Sequence, residues 1–250
     1  MTKIRGAIFD LGSTLIHFDG DWSAVLQESR AVFATYLIEE GFDIEYDLFV
    51  QRFKETIDSE FKQRQVDNIE RPLSNIARDV LAEFGYADIS NAVLTTGLVQ
   101  MYAISEAHWQ LDPAAIDVLT NLTDAGLNLG LISNAADEAN VQRLINKANI
   151  RAFFRPILIS AGVGIRKPDR RVFDVVLEDW TMPSHEVVMI GDSLKADILG
   201  AQHAGMHQIW INHKGAPPPN PKNSEAITPE VEADGLQNIP ASIQHMNREG

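Results

Sequence analysis

The sequence predicts a doubly wound α/β fold with a parallel sheet, interrupted after its first strand by an all-helical insertion. Three observations carry this. Ile4 to Phe9 is a short apolar run stopped by Asp10-Leu11-Gly12, as a buried strand would be. The next ninety or so residues hold no comparable strand and repeat their apolar residues at helical spacing. From Asp112 onward, short apolar runs alternate with amphipathic stretches, the pattern of a parallel sheet with crossover helices on both faces.

The elements follow in order. Leu26, Phe33 and Leu37 share a face with Val25, Val32 and Tyr36, behind a possible Asp21 cap and before Gly41. Phe49, Phe53, Ile57 and Phe61 recur every four residues, a stripe expected to pack between antiparallel helices. Two more helices are expected, Leu73 to Phe84 and, after an Asp88 cap, Ile89 to Glu106. Pro113 to Ala125 is a helix with proline in its first turn and Gly126 after its end. Then come a strand at Asn128–Ile132, a helix at Asp137–Ala148, a strand at Pro156–Ile159 and a helix at Asp169–Trp180. Val187–Ile190 is a strand, followed by a helix to Ala204 and a strand at Gln208–Ile211. Gly215 to Pro229, rich in Pro, Asn and Ser, is expected as a surface loop, and Ile239 to Met246 as a last helix. The expected division is residues 1–18 with 110–250 as the α/β core and 19–109 as the helical domain.

Composition narrows the class. The 250 residues are 45% hydrophobic and 22% charged, ordinary for a soluble globular chain. A formal net charge of −14 argues against a nucleic-acid or anionic-membrane surface. Without cysteine there is no disulfide, thiolate chemistry or cysteine zinc site. The first apolar run meets Asp10 too early for a signal peptide, and no stretch nears the ~18 apolar residues of a membrane span. A cytoplasmic enzyme is the expectation.

Parallel sheets bind ligands beyond the carboxyl ends of their strands. Standing there in this sequence are Asp10, Ser133-Asn134 and Gly191-Asp192, with Lys167 in the loop after Ile159. Singly, each is an ordinary turn or capping residue. Together, two carboxylates, a hydroxyl, an amide and an ammonium group suit one task. Asp10 and Asp192 suit a magnesium ion, while Ser133 and the amides beside Asn134, at an expected helix start, suit an anion. Lys167 adds a positive charge. Asp10 then serves as nucleophile toward a phosphate ester, through an aspartyl-phosphate.

These residues resemble the haloacid dehalogenase superfamily, in the motifs Phe9-Asp10-Leu11-Gly12-Ser13-Thr14, Ser133-Asn134, Lys167-Pro168 and Gly191-Asp192-Ser193 with Asp197. The resemblance implies a Rossmann-like core, a helical cap over the site, Mg2+ as cofactor and small phosphorylated metabolites as substrates. It implies that Asp10, the carbonyl of Gly12, and Asp192 ligate the metal, with Asp197 orienting metal-bound water or Lys167. Ser133, Asn134 and Lys167 would hold the phosphoryl group.

One position departs from the pattern. Family phosphatases usually carry a general acid/base Asp two residues after the nucleophile, where this chain has Gly12. General acid–base help is typically worth about 10²–10⁴ in rate. Its loss predicts a preference for good leaving groups such as acyl or aryl phosphates, with His17, Asp19 and Asp21 as possible substitutes. Phosphomutase and dehalogenase chemistry are disfavoured. Phosphonate cleavage would need a lysine such as Lys54 or Lys62 from a charge-rich helix better explained as solvated. The alternative from another class is a non-catalytic magnesium- and phosphate-binding module.

Overall fold

The computed structural model describes residues 3–213 and 227–249, so most of the expected loop at 215–229 lies outside the described residues. Strand β1 (Gly6–Phe9) is buried throughout. The first residue of the strand is glycine for a packing reason: a Cβ there would lie 2.6 Å from the Trp180 ring. A short strand β2 (Ile16–Phe18) follows where the sequence suggested none.

Four helices come next: α1 (Trp22–Glu39), α2 (Tyr46–Asp67), α3 (Leu73–Glu83) and α4 (Asn91–His108). Asp21 caps α1 as expected, accepting from the amides of Ser23 and Ala24. The last helix starts later than expected and takes Ser90, not Asp88, as its cap; the Ser90 hydroxyl accepts from the Val93 amide at 3.2 Å. Phe33, Phe49 and Phe53 are fully buried and anchor a separate hydrophobic cluster within these helices. The stripe ends early, because Phe61 is 51% exposed.

Strand β3 (Trp109–Leu111) pairs antiparallel with β2, so the chain enters and leaves the helical insertion through a two-stranded ribbon. Then follow α5 (Ala115–Asp124), β4 (Asn128–Ser133), α6 (Glu138–Lys147), β5 (Ile157–Ile159), α7 (Ser160–Val163) and α8 (Arg170–Trp180). After β6 (Val187–Gly191) a π-helical turn over Leu194–Leu199 runs into α9 (Gly200–Ala204), which the sequence suggested as one regular helix. The chain continues through β7 (His207–Ile211), β8 (Val231–Ala233) and α10 (Ile239–Glu249).

The six-stranded sheet has the order β5-β4-β1-β6-β7-β8, and every pairing is parallel. Alternate side chains feed opposite cores: Phe9, Leu131 and Ile190 pack on one face, Ile8, Ile132 and Met189 on the other. With β1 central and its sequence neighbours placed on both sides, the crevice opens beyond the ends of β1, β4 and β6.

The insertion also docks on the core by backbone. Ile69 and Ile165 form an antiparallel bridge. Flanking it, the Glu70 amide donates to Gly164 O (3.0 Å) and the Arg166 amide to Asn68 O (3.1 Å). The Leu73 amide donates to Ala136 O at 2.8 Å. Among the described residues, no helix is long and apolar enough to cross a membrane.

Candidate active site

Asp10 follows the last residue of β1, Ser133 ends β4, and Asp192 follows the last residue of β6. The parallel register therefore delivers all three to one edge. The Asp10 amide donates to Ile190 O at 2.9 Å, which fixes the Asp10 backbone against β6.

Lys167 reaches the same point from the loop after α7. Its side chain is only 1% exposed, and Nζ lies 2.6 Å from Asp10 Oδ1 and 2.8 Å from Asp197 Oδ1. Nζ also donates to Ile132 O at 2.6 Å. Asn134 secures this loop rather than facing a ligand with its amide group: its Nδ2 donates to Lys167 O and its Oδ1 accepts from the Lys167 amide, both at 2.9 Å. Asp197 is held by the Ser193 amide, which donates to Oδ2 at 2.9 Å. Only glycine fits at 191, since a Cβ there would sit 2.2 Å from that same oxygen.

Carboxylate oxygens of Asp10, Asp192 and Asp197 all lie within 4.8 Å of one another. Burial, foremost, raises Asp10 to about 6, with Lys167 opposing and Asp197 adding to the rise. Burial likewise raises Asp192 to about 7, reinforced by Asp10 and Asp197. Three carboxylates face one ammonium group, leaving an excess of two negative charges in a largely desolvated place. That excess, and a donor set made only of oxygen, fits a hard divalent cation such as Mg2+.

Two residues that sequence reasoning did not single out hold Asp192. The buried Thr14 hydroxyl donates to Asp192 Oδ1 at 3.5 Å, and Trp210 Nε1 donates to Asp192 O at 2.7 Å. Thr14 stood within the first motif; Trp210, on β7, carried no signal.

The remaining expectations divide. Ser133 is buried at the strand end, and its hydroxyl makes no hydrogen bond among the described residues. It does not stand at a helix start, because α6 begins at Glu138 and is capped by Asp137. Gly12 sits in the tight turn after β1, 3.4 Å (from the position a Cβ would take) below the ring of Trp109. His17 is paired with Asp112 at 2.8 Å and meets His213 edge-on, while His213 Nε2 donates to Ser13 O at 2.9 Å. Asp21 is occupied as a helix cap and Asp19 is exposed. Lys54 pairs with Asp58 on the solvated face of α2, and Lys62 is exposed.

Comparison with known proteins bears on the family and the fold. A family model described as haloacid dehalogenase-like hydrolase matches residues 44–211, a stretch holding Ser133, Lys167, Asp192 and Asp197 and beginning after Asp10. A glyceraldehyde 3-phosphate phosphatase of Methanothermobacter thermautotrophicus is 25% identical over 233 residues, covering 93% of each chain. A phosphoserine phosphatase of Thermus thermophilus is 29% identical over 142 residues, 57% of this chain and 55% of that one. Among solved structures, a 2-haloacid dehalogenase from Pseudomonas syringae pv. Tomato DC3000 superposes with a TM-score of 0.70 at 21% identity, covering 98% of this chain and 100% of that one. That last likeness speaks for the fold. The chain belongs to the haloacid dehalogenase-like hydrolases.

Proposed function

We propose that this protein is a magnesium-dependent phosphatase of small phosphorylated molecules that forms an aspartyl-phosphate on Asp10. The observation that carries the proposal is Lys167, buried between Asp10 and Asp197 beside Asp192, a place where a phosphoryl group and a divalent cation can share one oxygen-lined crevice. The phosphatase names of two relatives point the same way.

Asp10, Asp192 and the carbonyl of Gly12 would hold the metal, with Asp197 fixing Lys167. When bound, the metal supplies positive charge that lets a carboxylate approach a phosphate dianion. A carboxylate oxygen of Asp10 attacks phosphorus and the ester oxygen leaves; water then attacks the same phosphorus and frees Asp10. Lys167 and the Ser133 hydroxyl balance charge on the transferring phosphoryl oxygens, and Asn134 acts by holding the Lys167 backbone. Gly12 contributes no proton, so esters with acidic leaving groups react best. The helical insertion, residues 19–109, serves as a cap that screens substrates, and the enzyme works in the cytoplasm.

The test is phosphate release from p-nitrophenyl phosphate with Mg2+. Wild type is expected to be active and Asp10→Asn to lose at least about 10³-fold. An inert wild type with an active Gly12→Asp variant would instead favour a binding module that has lost its acid.

A further inference from the structure

A second charged cluster lies where the insertion meets the core, and the mechanism above does not use it. Glu70, between α2 and α3, has a side chain with no exposed surface. Arg64 Nη1 donates to its Oε1 at 2.6 Å, and Arg166 Nη1 lies 3.4 Å from its Oε2 without an aligned hydrogen bond. The Ser160 hydroxyl donates to Oε2 at 2.9 Å while accepting from the Ala135 amide at 2.8 Å. The cluster thus touches both loops of the candidate active site: Arg166 precedes Lys167 and Ala135 follows Asn134.

Its charge does not balance. Two guanidinium groups share one carboxylate, with side chains only 14% and 11% exposed. Arg64 Nε and Arg166 Nη1 are buried with no hydrogen-bond acceptor among the described residues. Leaving such groups unpaired is costly, and a one-to-one pair would dock the insertion as well. Of the neighbouring charges, Arg143 is paired with Glu106 at 2.8 Å, and the Asp137 carboxylate, which keeps its charge while accepting from the Asn140 amide at the start of α6, forms no ion pair with either Arg64 or Arg166 among the described residues. Burial holds Arg166 below the usual guanidinium range, with Arg64 pressing the same way.

We propose that Arg64 and Arg166, braced by Glu70, form a subsite for a carboxylate carried by the substrate, so that the preferred substrates are phosphate monoesters bearing a carboxyl group. The surplus of one positive charge matches one carboxylate, and the position along the seam from Lys167 sets that group apart from the scissile phosphate. The inference deepens the phosphatase reading and rests on it.

The test compares phenyl phosphate with its 2-, 3- and 4-carboxy derivatives, whose leaving groups suit an enzyme without a general acid. The readout is the kcat/KM ratio of each carboxylated substrate to phenyl phosphate. At least one isomer is expected to exceed phenyl phosphate by about 10- to 100-fold, the range of a charged hydrogen bond. Arg64→Gln should bring that ratio toward one, and Arg64→Lys, which keeps the charge but loses the forked donors, should lower it part-way. No favoured isomer in wild type, or a ratio that survives in both variants, overturns the subsite. If no aryl phosphate is turned over, the phosphatase reading fails separately. Calorimetric binding of carboxyphenylphosphonates against phenylphosphonate, with Mg2+ present, then decides the subsite by the same ratio.

Discussion

The sheet edge and the insertion–core seam are opposite in charge and alike in construction. At the sheet edge three carboxylates close on one ammonium group; at the seam two guanidinium groups close on one carboxylate. Both are largely desolvated and neither is neutral by itself. A buried ion cluster that only held the fold together would balance its charges, because an uncompensated buried charge costs several kcal/mol. The difference in sign separates what each place would attract: a cation at one, an anion at the other.

The strongest way to break this comparison is to remove the single counter-ion from each place. Lys167→Met leaves three facing carboxylates and Glu70→Gln leaves two facing guanidinium groups, and each should cost about 3–5 kcal/mol of stability. Rescue separates them. In denaturant titrations, Mg2+ should restore part of the loss in Lys167→Met, and sulfate part of the loss in Glu70→Gln, with neither ion rescuing the other variant. Next in size, wild type should gain about 2.7 kcal/mol in Mg2+ at about 100 times its Kd, and Asp192→Asn most of this should lose; thermal unfolding with and without chelator reads it.

A pH series sharpens the sheet-edge half. Asp10 and Asp192 bind protons more tightly folded than unfolded, since burial, reinforced by Asp197 at Asp10 and by Asp10 and Asp197 at Asp192, outweighs Lys167 and lifts them to about 6 and about 7. The stability of the metal-free protein should therefore rise as pH falls from 8 to 5 and level off below about 4. Asp192→Asn should flatten that rise, and a slope equal to wild type would show that these two groups do not carry it. The smallest effect belongs to Lys195→Ala. Its Nζ donates to Gln65 O across the seam at 2.9 Å, but the contact is exposed, so the melting temperature should reflect less than about 0.5 kcal/mol.

The parts of the molecule that were legible in the sequence are those where one local pattern decides the outcome. The strand ends at Asp10, Ser133 and Gly191 were legible because a fully buried strand is an unbroken apolar run with an abrupt polar stop. The ribbon Ile16–Phe18 with Trp109–Leu111 was not, because three-residue strands separated by four helices carry no periodicity of their own. The last sheet strand, Val231–Ala233, is equally short. The turn at Leu194–Leu199 departs from a regular helix where Ile198 N reaches back to Ser193 O, a widening no residue pattern announces. In the site, the clustered carboxylates of Asp10, Asp192 and Asp197 were visible as motifs, while the role of Asn134 was not: an amide beside a serine looks like a ligand until its partner, the Lys167 backbone, is seen. The seam was hidden for a different reason. Arg64 and Glu70 sit in a charge-rich stretch whose other members, such as Lys54, are solvated, and only the folded chain brings Ser160 and Arg166 to them.

The backbone bridge at Ile69 and Ile165 has an energetic consequence. The segment it binds is the one that ends in Lys167, so lifting the insertion away from the core peels hydrogen bonds from the lysine's own loop. Any lifting of the insertion from the core breaks the bonds donated by the Glu70, Arg166 and Leu73 amides, so the hydrogen exchange of those three amides, set beside that of the central strands, reads the free energy of that lifting.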